Sequence, residues 1–516
     1  MSVYKTAAAD IAIRDITITE RVFENLRTRP EETVLTDGPS GASMTAAEFM
    51  QTVKSLAGGL TERGFGAGKR VALMAPNMPQ YAVVFHAVAW AGGTITTINP
   101  TYTASEVAHQ LRDSAADILI TIPMFLETAQ TAAKEVGDLP VVTIGEAEGA
   151  ETLDAYFGAE LADQVEVDLD THVVVLPYSS GTTGLPKGVR LSHRNLVVNV
   201  DQVIAASKFQ PGETAAAFLP FFHIYGMQVL MNVHLGGGGA LVTLPRFDLE
   251  LFLKICQEHK SRRMWVVPPV ALALAKHPLV EEYDLSSVVE IFSGAAPLGG
   301  EVADAAAKRV GCVALQGYGM TESSPVTHVS PRDGAKSGSS GLALPNTECR
   351  IVDPETGEDM ATGEEGELWI KGPQVMLGYL NNEKATNETI NEDGWLKTGD
   401  IAKIDEDGFM FIMDRLKELI KYKGFQVAPA ELEATLVTHP GITDAAVIGQ
   451  PDDEAGELPI AFVVTGKDAP SEAEIKDHLK KTLSSYKQVH KVHFVDEIPK
   501  SASGKILRRV LRDQMA

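Results

Sequence analysis

The sequence predicts an α/β protein whose large N-terminal domain contains mostly parallel sheets and whose small C-terminal domain is of the α+β type. Strand-like and helix-like segments alternate over most of the chain, which is typical of parallel sheets covered by helices. The last fifth changes character and begins a new pattern of elements. A length of 516 residues is also too great for a single hydrophobic core, so two to four domains are expected.

The N-terminal elements follow from short apolar runs and from the helical spacing of apolar residues between them. We predict, in chain order, strand 70–74, helix 79–91, strand 94–98, helix 104–114, strand 118–121, strand 173–176, strand 266–267, helix 270–277 and strand 289–292. The apolar stretch 81–98 is interrupted by Gly92-Gly93 and contains His86, so it indicates a buried helix and a strand rather than a membrane span.

The C-terminal elements fit a domain of about one hundred residues. They are predicted as helix 429–438, strand 444–448, strand 459–464, helix 471–483 and strand 491–495. The boundary is expected near Asp414–Lys417, which divides the chain into residues 1–413 and 418–516.

The composition excludes several classes of partner. The net charge is −24, from 45 basic and 69 acidic residues, which argues against nucleic acid or an anionic membrane as the main partner.

Cys256, Cys312 and Cys349 have no CxxC or metal-like spacing and are typical of a reducing compartment. The N-terminus lacks an apolar secretory core and the C-terminus lacks a Ser-Lys-Leu signal, so we expect a cytoplasmic protein. The oligomeric state stays open.

One segment, Tyr178 to Val189, predicts a loop that holds a polyphosphate. Glycines allow close backbone approach, hydroxyls donate to phosphate oxygens, and a lysine adds positive charge. Pro186-Lys187-Gly188 stands where a P-loop needs Gly-Lys-Ser/Thr, so P-loop enzymes are disfavoured. The candidate phosphate-binding residues are Ser179, Ser180, Gly181, Thr182, Thr183, Gly184 and Lys187.

Further motifs follow this loop in a fixed order. They are Gln316-Gly-Tyr-Gly-Met-Thr-Glu322, Gly366-Glu-Leu-Trp-Ile-Lys-Gly372, Thr398-Gly-Asp400, Asp414-Arg415 and Pro499-Lys-Ser-Ala-Ser-Gly-Lys505. With them the chain, from about residue 20 to its end, resembles the acyl-activating adenylate-forming superfamily of acyl-CoA synthetases and beetle luciferases. It is most similar to the 4-coumarate–CoA ligases, although Trp369 and Lys371 differ from the usual Cys and Arg of their second box.

The resemblance implies an ATP-dependent acid–CoA ligase of the AMP-forming type. Such an enzyme converts a carboxylic acid, here 4-coumarate or a related hydroxycinnamate, into an acyl adenylate with release of pyrophosphate, and then transfers the acyl group to CoA. ATP, Mg²⁺ and CoA are the implied cofactor and co-substrates. The chemistry requires positioning and positive charge where phosphate and carboxylate oxygens meet, rather than a covalent nucleophile.

The resemblance also implies roles for individual residues. Lys505 bridges the carboxylate and the α-phosphate, Thr321 donates to that phosphate, Glu322 holds Mg²⁺, and His223 lies near the carboxylate. The remaining candidate ATP- or AMP-binding residues are Gln316, Gly317, Tyr318, Asp400, Arg415, Lys417 and Lys421. From composition alone each lysine could equally be a solvated surface residue, and His223 or Tyr318 an ordinary core residue.

The small domain is implied to be a mobile lid with its hinge at residues 414–417. Lys505 would be withdrawn after adenylation, and another face of the lid would close a tunnel for the thiol. The candidate CoA-binding residues are Lys260, Lys423 and Gly424.

The candidate acyl pocket combines glycines with apolar side chains. Its residues are Ile224, Tyr225, Val229, Phe292, Gly294, Ala295, Gly317, Gly319, Pro325 and Val326. The glycines suit a flat ring, and Tyr225 offers a hydroxyl to a phenol. Val229, however, stands where plant ligases often have serine, which lowers the preference for hydroxylated rings. A medium-chain fatty acid or a benzoate-type acid therefore stays open. A luciferase-like oxygenase and a non-catalytic or carrier-loading protein are more remote alternatives.

Overall fold

The computed structural model describes residues 2–179, 186–423, 425–452, 454–466, 468–484, 486–502 and 504–515. The predicted α/β class is confirmed, because helices and strands alternate through most of these ranges. The α-helices are Ile18–Arg27, Ala46–Glu62, Pro79–Trp90, Ala104–Ser114, Leu126–Glu135, His193–Ser207, Val233–Gly236, Leu249–Glu258, Pro268–Lys276, Gly300–Val310, Glu383–Thr389, Pro429–Leu436, Glu472–Thr482 and Arg508–Asp513. Short 3₁₀ helices are Pro123–Phe125, Leu153–Tyr156, Pro278–Glu282 and Thr321–Ser323, and Tyr225–Asn232 is a π-helix.

The first large sheet has the parallel arrangement expected from the alternating pattern. Its strands lie in the spatial order Leu191–Ser192, Val173–Ser179, Thr94–Thr97, Arg70–Met74, Ile118–Thr121, Val141–Thr143 and Glu151–Thr152. All neighbours from Val173–Ser179 onward are parallel, whereas Leu191–Ser192 and the short strand Lys187–Gly188 pair with Val173–Ser179 in the antiparallel sense. The polyphosphate segment therefore leaves the sheet at the carboxyl end of a parallel strand, where open α/β sheets bind ligands.

A second sheet brings the central motifs together. Its strands lie in the order Arg263–Val266, Glu290–Ser293, Val313–Gly319, Val326–Val329 and Leu342–Ala343. The first three are parallel and the last two run antiparallel. The register sets Phe292 beside Leu315 and Ser293 beside Gln316. The motif at residues 316–322 therefore begins beside Phe292, a candidate acyl-pocket residue from the neighbouring strand.

Two further sheets complete the larger part of the chain. One is formed by Thr214–Ala217, Ala240–Thr243, Thr33–Asp37 and Ser43–Thr45, and the other by Glu348–Val352, Gly366–Lys371, Leu396–Ile404 and Met410–Arg415. The expectation of parallel pairing does not extend to the second of these, in which each strand pairs antiparallel with the next along the chain. The connection 405–409, for example, is too short for the crossover that a parallel pair needs.

The C-terminal part has the predicted order of elements. Its strands are Phe425–Val427, Ile420–Tyr422, Gly456–Thr465 and Ile442–Asp452 in spatial order, with Lys491–Phe494 paired to Gly456–Thr465. Side chains such as Val427, Leu432 and Val447 form a buried cluster distinct from the core of the larger part. A separate core agrees with a separate domain, and the division into residues 1–413, 414–417 and 418–516 stays a prediction.

The helix Pro79–Trp90 is buried on almost every face, as expected from its uninterrupted apolar sequence. It packs among the other N-terminal elements, with Tyr81, Phe85 and Trp90 in the core. Among the described residues, no helix combines the length and the apolar character needed to cross a bilayer.

Candidate functional site

A cavity opens at the edge of the second sheet, beside the π-helix Tyr225–Asn232. Its wall contains every residue predicted for the acyl pocket, namely Ile224, Tyr225, Val229, Phe292, Gly294, Ala295, Gly317, Gly319, Pro325 and Val326. The same wall includes His223, Tyr318, Thr321 and Lys505. The fold thus brings residues from distant parts of the chain to one cavity.

Local backbone geometry explains why glycine occurs at two of these positions. A Cβ atom on Gly317 would lie 2.7 Å from Cζ of Phe292, and a Cβ atom on Gly319 would lie 2.1 Å from the carbonyl oxygen of Pro325. Both contacts are far inside normal van der Waals separation. The missing Cβ atoms therefore make room for the protein's own ring and backbone, which then form the cavity wall.

Tyr318, Asp400 and Arg415 form a connected polar group next to this cavity. The Tyr318 hydroxyl donates to Oδ2 of Asp400 at 2.5 Å, and Nε of Arg415 lies 3.2 Å from Oδ1. Asp400 and Arg415 face each other across two antiparallel strands. Burial, together with the charge of Asp400, raises the pKa of Tyr318 well above its usual value, so the phenol keeps its proton. Each carboxylate oxygen of Asp400 retains a further lone pair, which is what two ribose hydroxyls require.

Thr321 and Glu322 lie in the 3₁₀ turn Thr321–Ser323, which follows the strand Val313–Gly319. Oε1 of the buried Glu322 accepts a hydrogen bond of 2.9 Å from the Tyr379 hydroxyl. The ammonium group of Lys187 lies 4.9 Å from the centre of the Tyr379 ring, which is cation–π distance. Tyr379 consequently links Glu322 to the end of the polyphosphate segment.

The residues at this point suit Mg²⁺ better than a metal held entirely by protein. Within the described residues, no group of three or more His, Cys, Asp or Glu side chains is arranged to hold a metal ion. Glu322 offers one carboxylate beside Thr321, and Mg²⁺ is commonly held by one or two carboxylates together with substrate phosphates. The donor set therefore fits Mg²⁺ that arrives with a nucleotide.

Lys505 reaches the cavity from a tight turn in the C-terminal part. Its backbone N–H donates to Oγ of Ser501 at 3.1 Å, and its carbonyl oxygen accepts from the N–H of Ser501 at 2.8 Å. Gly504 has φ 81°, and a Cβ atom on it would lie 3.2 Å from Val267 of the larger part. Glycine is favoured there because the left-handed conformation and the close approach both disfavour a side chain.

Burial in the cavity lowers the pKa values of both Lys505 and His223. Burial, followed by the charge of Arg415, lowers the pKa of Lys505 to about 8, against the opposing effects of Asp400 and Glu322. Burial and the neighbouring Lys505 lower the pKa of His223 to about 3, so its imidazole is neutral near pH 7. Its Nδ1 accepts from the N–H of Tyr225 at 3.3 Å, which leaves Nε2 as the protonated nitrogen.

Other predicted residues do not line the cavity. Lys417, Lys421, Lys423 and Lys260 are exposed, and Lys423 and Lys260 have positive φ values of 49° and 47°. Gln316 lies behind the cavity wall, where its side-chain amide makes two hydrogen bonds with the backbone of Leu298. Ser179 pairs with Lys187 at the ends of the polyphosphate segment. The remaining candidates, Ser180, Gly181, Thr182, Thr183, Gly184 and Gly424, lie outside the described residues.

Several cavity residues were not predicted from the sequence. They are Val203, Ser207, Trp265, Met320 and Val329. None was assigned to the acyl pocket. Val203, Ser207, Trp265 and Val329 are ordinary helix or strand residues, and Met320 stands in the motif at residues 316–322 without an assigned role. Tyr379 belongs to no quoted motif and was also missed. Val329, for example, lies at the cavity because it pairs with Gly317 on the neighbouring strand. Such a position depends on strand register, which a local motif does not predict.

Comparison with protein families gives two matches. Residues 22–380 match the family described as AMP-binding enzyme, and residues 431–505 match the AMP-binding enzyme C-terminal domain. Among curated relatives, 4-coumarate–CoA ligase 5 of Oryza sativa subsp. japonica is 41% identical over 100% of this chain and 97% of its own length. 4-coumarate–CoA ligase 1 of Arabidopsis thaliana is 40% identical over 100% and 95%, respectively.

Solved structures give the same picture of the fold. The anthranilate CoA ligase AuaEII in complex with anthranoyl-AMP superposes with a TM-score of 0.90 and 25% identity, covering 98% of both chains. ATP-bound MatB from Rhodopseudomonas palustris has a TM-score of 0.87 and 31% identity, covering 97% of this chain and 99% of its own. The apo form of MatB, at 30% identity and with the same coverage, has a TM-score of 0.77.

Proposed function

The chain belongs to the AMP-binding enzyme family, and from this premise we propose that it is an ATP-dependent acid–CoA ligase. It activates a carboxylic acid as an acyl adenylate, releases pyrophosphate, and transfers the acyl group to CoA. The observation that carries this proposal is the cavity whose wall combines the apolar acyl positions with Lys505 and Thr321. An acid in this cavity would present its carboxylate to the one cationic side chain of that described wall.

Adenylation follows from the chemistry of these side chains. The carboxylate oxygen attacks the α-phosphorus of ATP, the bond to the β-phosphate oxygen breaks, and pyrophosphate leaves. The Lys505 ammonium would stabilise the charge shared by the carboxylate and α-phosphate oxygens, while the Thr321 hydroxyl donates to that phosphate. Neutral His223 would donate from Nε2 and orient the acid. Mg²⁺ held by Glu322 would neutralise charge on the phosphates.

The rest of the nucleotide would lie on the polar group already described. Asp400 would accept the ribose hydroxyls, supported by Tyr318 and Arg415, and Gln316 and Gly317 would shape the adenine side. Ser179 to Gly184 together with Lys187 would hold the polyphosphate. These assignments agree with the proximity of Lys187, Tyr379 and Glu322.

The C-terminal part, residues 418–516, would act as a lid that turns about residues 414–417. In this structure Lys505 lines the cavity, which is the arrangement that adenylation needs. The higher TM-score with ATP-bound MatB than with apo MatB supports the same interpretation. After adenylation the lid would rotate so that Lys421 contacts the AMP phosphate and Lys423 and Gly424, with Lys260, contact CoA. The exposure of these lysines here agrees with a role in the other state.

We propose 4-coumarate or a related hydroxycinnamate as the acid, on the strength of the names of the relatives and the mostly apolar cavity wall. A benzoate-type acid is the second candidate, because Phe292 fills the space beside Gly317 and the structurally similar AuaEII is an anthranilate CoA ligase. The acidic composition and unpaired cysteines support a cytoplasmic location.

A panel of carboxylic acids tests this proposal. The purified protein is incubated with ATP, Mg²⁺ and each acid, and pyrophosphate is measured with and without CoA. With CoA we expect AMP, pyrophosphate and the thioester in equal amounts, whereas without CoA pyrophosphate is released and AMP remains in the acyl adenylate. Production of ADP, or no AMP with any acid, would refute the assignment.

A further inference from the structure

The hydroxyl of Ser207 is an unexplained polar group in the wall of the cavity. Ser207 is the last residue of the helix His193–Ser207, and its carbonyl oxygen accepts a 2.6 Å hydrogen bond from Nη2 of Arg263. Its Oγ atom is inaccessible to solvent and has no hydrogen-bond partner among the described residues. Buried hydroxyls normally have a partner, so an unpaired one beside a ligand cavity calls for an explanation.

Ser207 belongs to the part of the wall that is remote from the reactive groups. A second, much smaller cavity shares Ser207, Phe292 and Val329 with the first. Neither Lys505 nor His223 reaches the second cavity. An acid whose carboxylate meets Lys505 would therefore direct its far end toward the wall that contains Ser207.

The tyrosine hydroxyls of the cavity wall already have partners. The Tyr225 hydroxyl lies 3.4 Å from two carbonyl oxygens, those of Val266 and Phe292, and the Tyr318 hydroxyl donates to Asp400. Tyr225 was expected to serve a phenolic substrate, but its proton is directed to the backbone. The Ser207 hydroxyl has no described partner to give up, so rotation about χ1 would be needed, and is free, to turn its proton and lone pairs toward a ligand in the cavity.

We infer that Ser207 is a specificity-determining residue, which forms a hydrogen bond with a polar substituent at the end of the acid remote from its carboxylate. The ring hydroxyl of a 4-hydroxycinnamate has the matching chemistry, because it can donate to and accept from a serine hydroxyl. This inference rests on the proposed function and specifies its substrate class. It also accounts for selection of a hydroxylated ring despite the apolar Val229.

The test compares 4-coumarate with cinnamate, which lacks the ring hydroxyl. For the intact enzyme and for Ser207→Ala, kcat/KM is measured for each acid from pyrophosphate release. We expect the ratio of 4-coumarate to cinnamate to fall about tenfold in Ser207→Ala, through a loss on 4-coumarate alone. Activity on cinnamate in the same variant reports that the fold and the adenylation chemistry are intact.

Ser293→Ala is the matched control. Its hydroxyl is also buried without a described partner, but Ser293 is not part of the cavity wall. The ratio should be unchanged in this variant. An unchanged ratio in Ser207→Ala, or an equal change in Ser293→Ala, would overturn the assignment of Ser207. Failure of the intact enzyme to release pyrophosphate with any acid would instead refute the proposed function.

Discussion

The protonation state of Lys505 makes a quantitative prediction for the pH dependence of adenylation. Burial lowers the pKa of Lys505 from its ordinary value of 10.5 to about 8, a change that corresponds to about 3 kcal/mol in favour of the neutral amine. Arg415 contributes to the lowering, whereas Asp400, Glu322 and Glu418 oppose it. Because the ammonium is the proposed active form, kcat/KM for adenylation should be constant below pH 8 and should fall as the pH rises through that value.

The assay is ATP–pyrophosphate exchange without CoA, in which adenylation turns over reversibly, measured from about pH 7.5 to about pH 10, where kcat/KM reports the ionisation of the free enzyme. Lys505→Arg is the informative variant, since a guanidinium stays charged over this range. We expect it to be slower at every pH but to lose the alkaline fall. The pKa values of His223, about 3, and of Tyr318, well above 10, keep both residues from titrating in this window.

Bound ligands add a second, independent expectation. The phosphates of ATP and the carboxylate of the acid are anions, and nearby anions favour the charged form of a lysine. The fall in kcat should therefore occur at higher pH than the fall in kcat/KM. The reasoning would be refuted if kcat/KM of the intact enzyme stayed constant to about pH 10, or if Lys505→Arg showed the same alkaline fall.

Three further substitutions test the division of work between the two parts of the chain. Lys505→Ala should reduce adenylation by about a hundredfold or more, yet leave thioester formation from preformed acyl adenylate largely intact; equal losses in both half-reactions would contradict a lid that changes position. Lys423→Glu should slow the CoA step more than pyrophosphate exchange, and a selective adenylation defect would argue against its role. Lys276→Met should slow adenylation selectively by about fivefold, because its ammonium donates to the carbonyl of Val437 at 3.0 Å and so holds the C-terminal part in the present arrangement. Lys308 is exposed, so Lys308→Met is the control for Lys276→Met. Both half-reactions are measured separately for each variant.

Local sequence predicted the elements of the fold because their apolar runs are short and well separated. The helix 104–114 and the strand 118–121 occur at their predicted limits. The observed ends of a strand differ from the predicted ends where pairing with a neighbouring strand, rather than local composition, determines them. The strand expected at 444–448 extends over Ile442–Asp452, because it pairs with Gly456–Thr465 along most of its length. Antiparallel pairing in the sheet of residues 348–415 likewise depends on contacts that no local pattern records.

The candidate site was accessible from sequence only where a motif or the resemblance to the 4-coumarate–CoA ligases marks it. Lys505, Thr321 and Asp400 stand in recognisable patterns of glycines, hydroxyls and charges. Tyr379 and Ser207 do not, because a buried tyrosine and a serine at a helix end are common in any protein. Their relation to the site arises from packing between segments far apart in the sequence.

In the proposed mechanism, the charges around the cavity would couple movement of the C-terminal part to nucleotide binding. Glu322 is held by the Tyr379 hydroxyl, which donates a hydrogen bond but supplies no positive charge, whereas Asp400 accepts from the Tyr318 hydroxyl and also pairs with Arg415. Burying the Lys505 ammonium beside Arg415 costs about 3 kcal/mol when no ligand anion is present. Phosphate and carboxylate oxygens remove that cost, since they provide the negative charge that the buried ammonium lacks. Closure of the proposed lid onto bound ATP and acid would therefore be favoured over closure onto an empty cavity, and loss of pyrophosphate would weaken the closed arrangement before CoA enters.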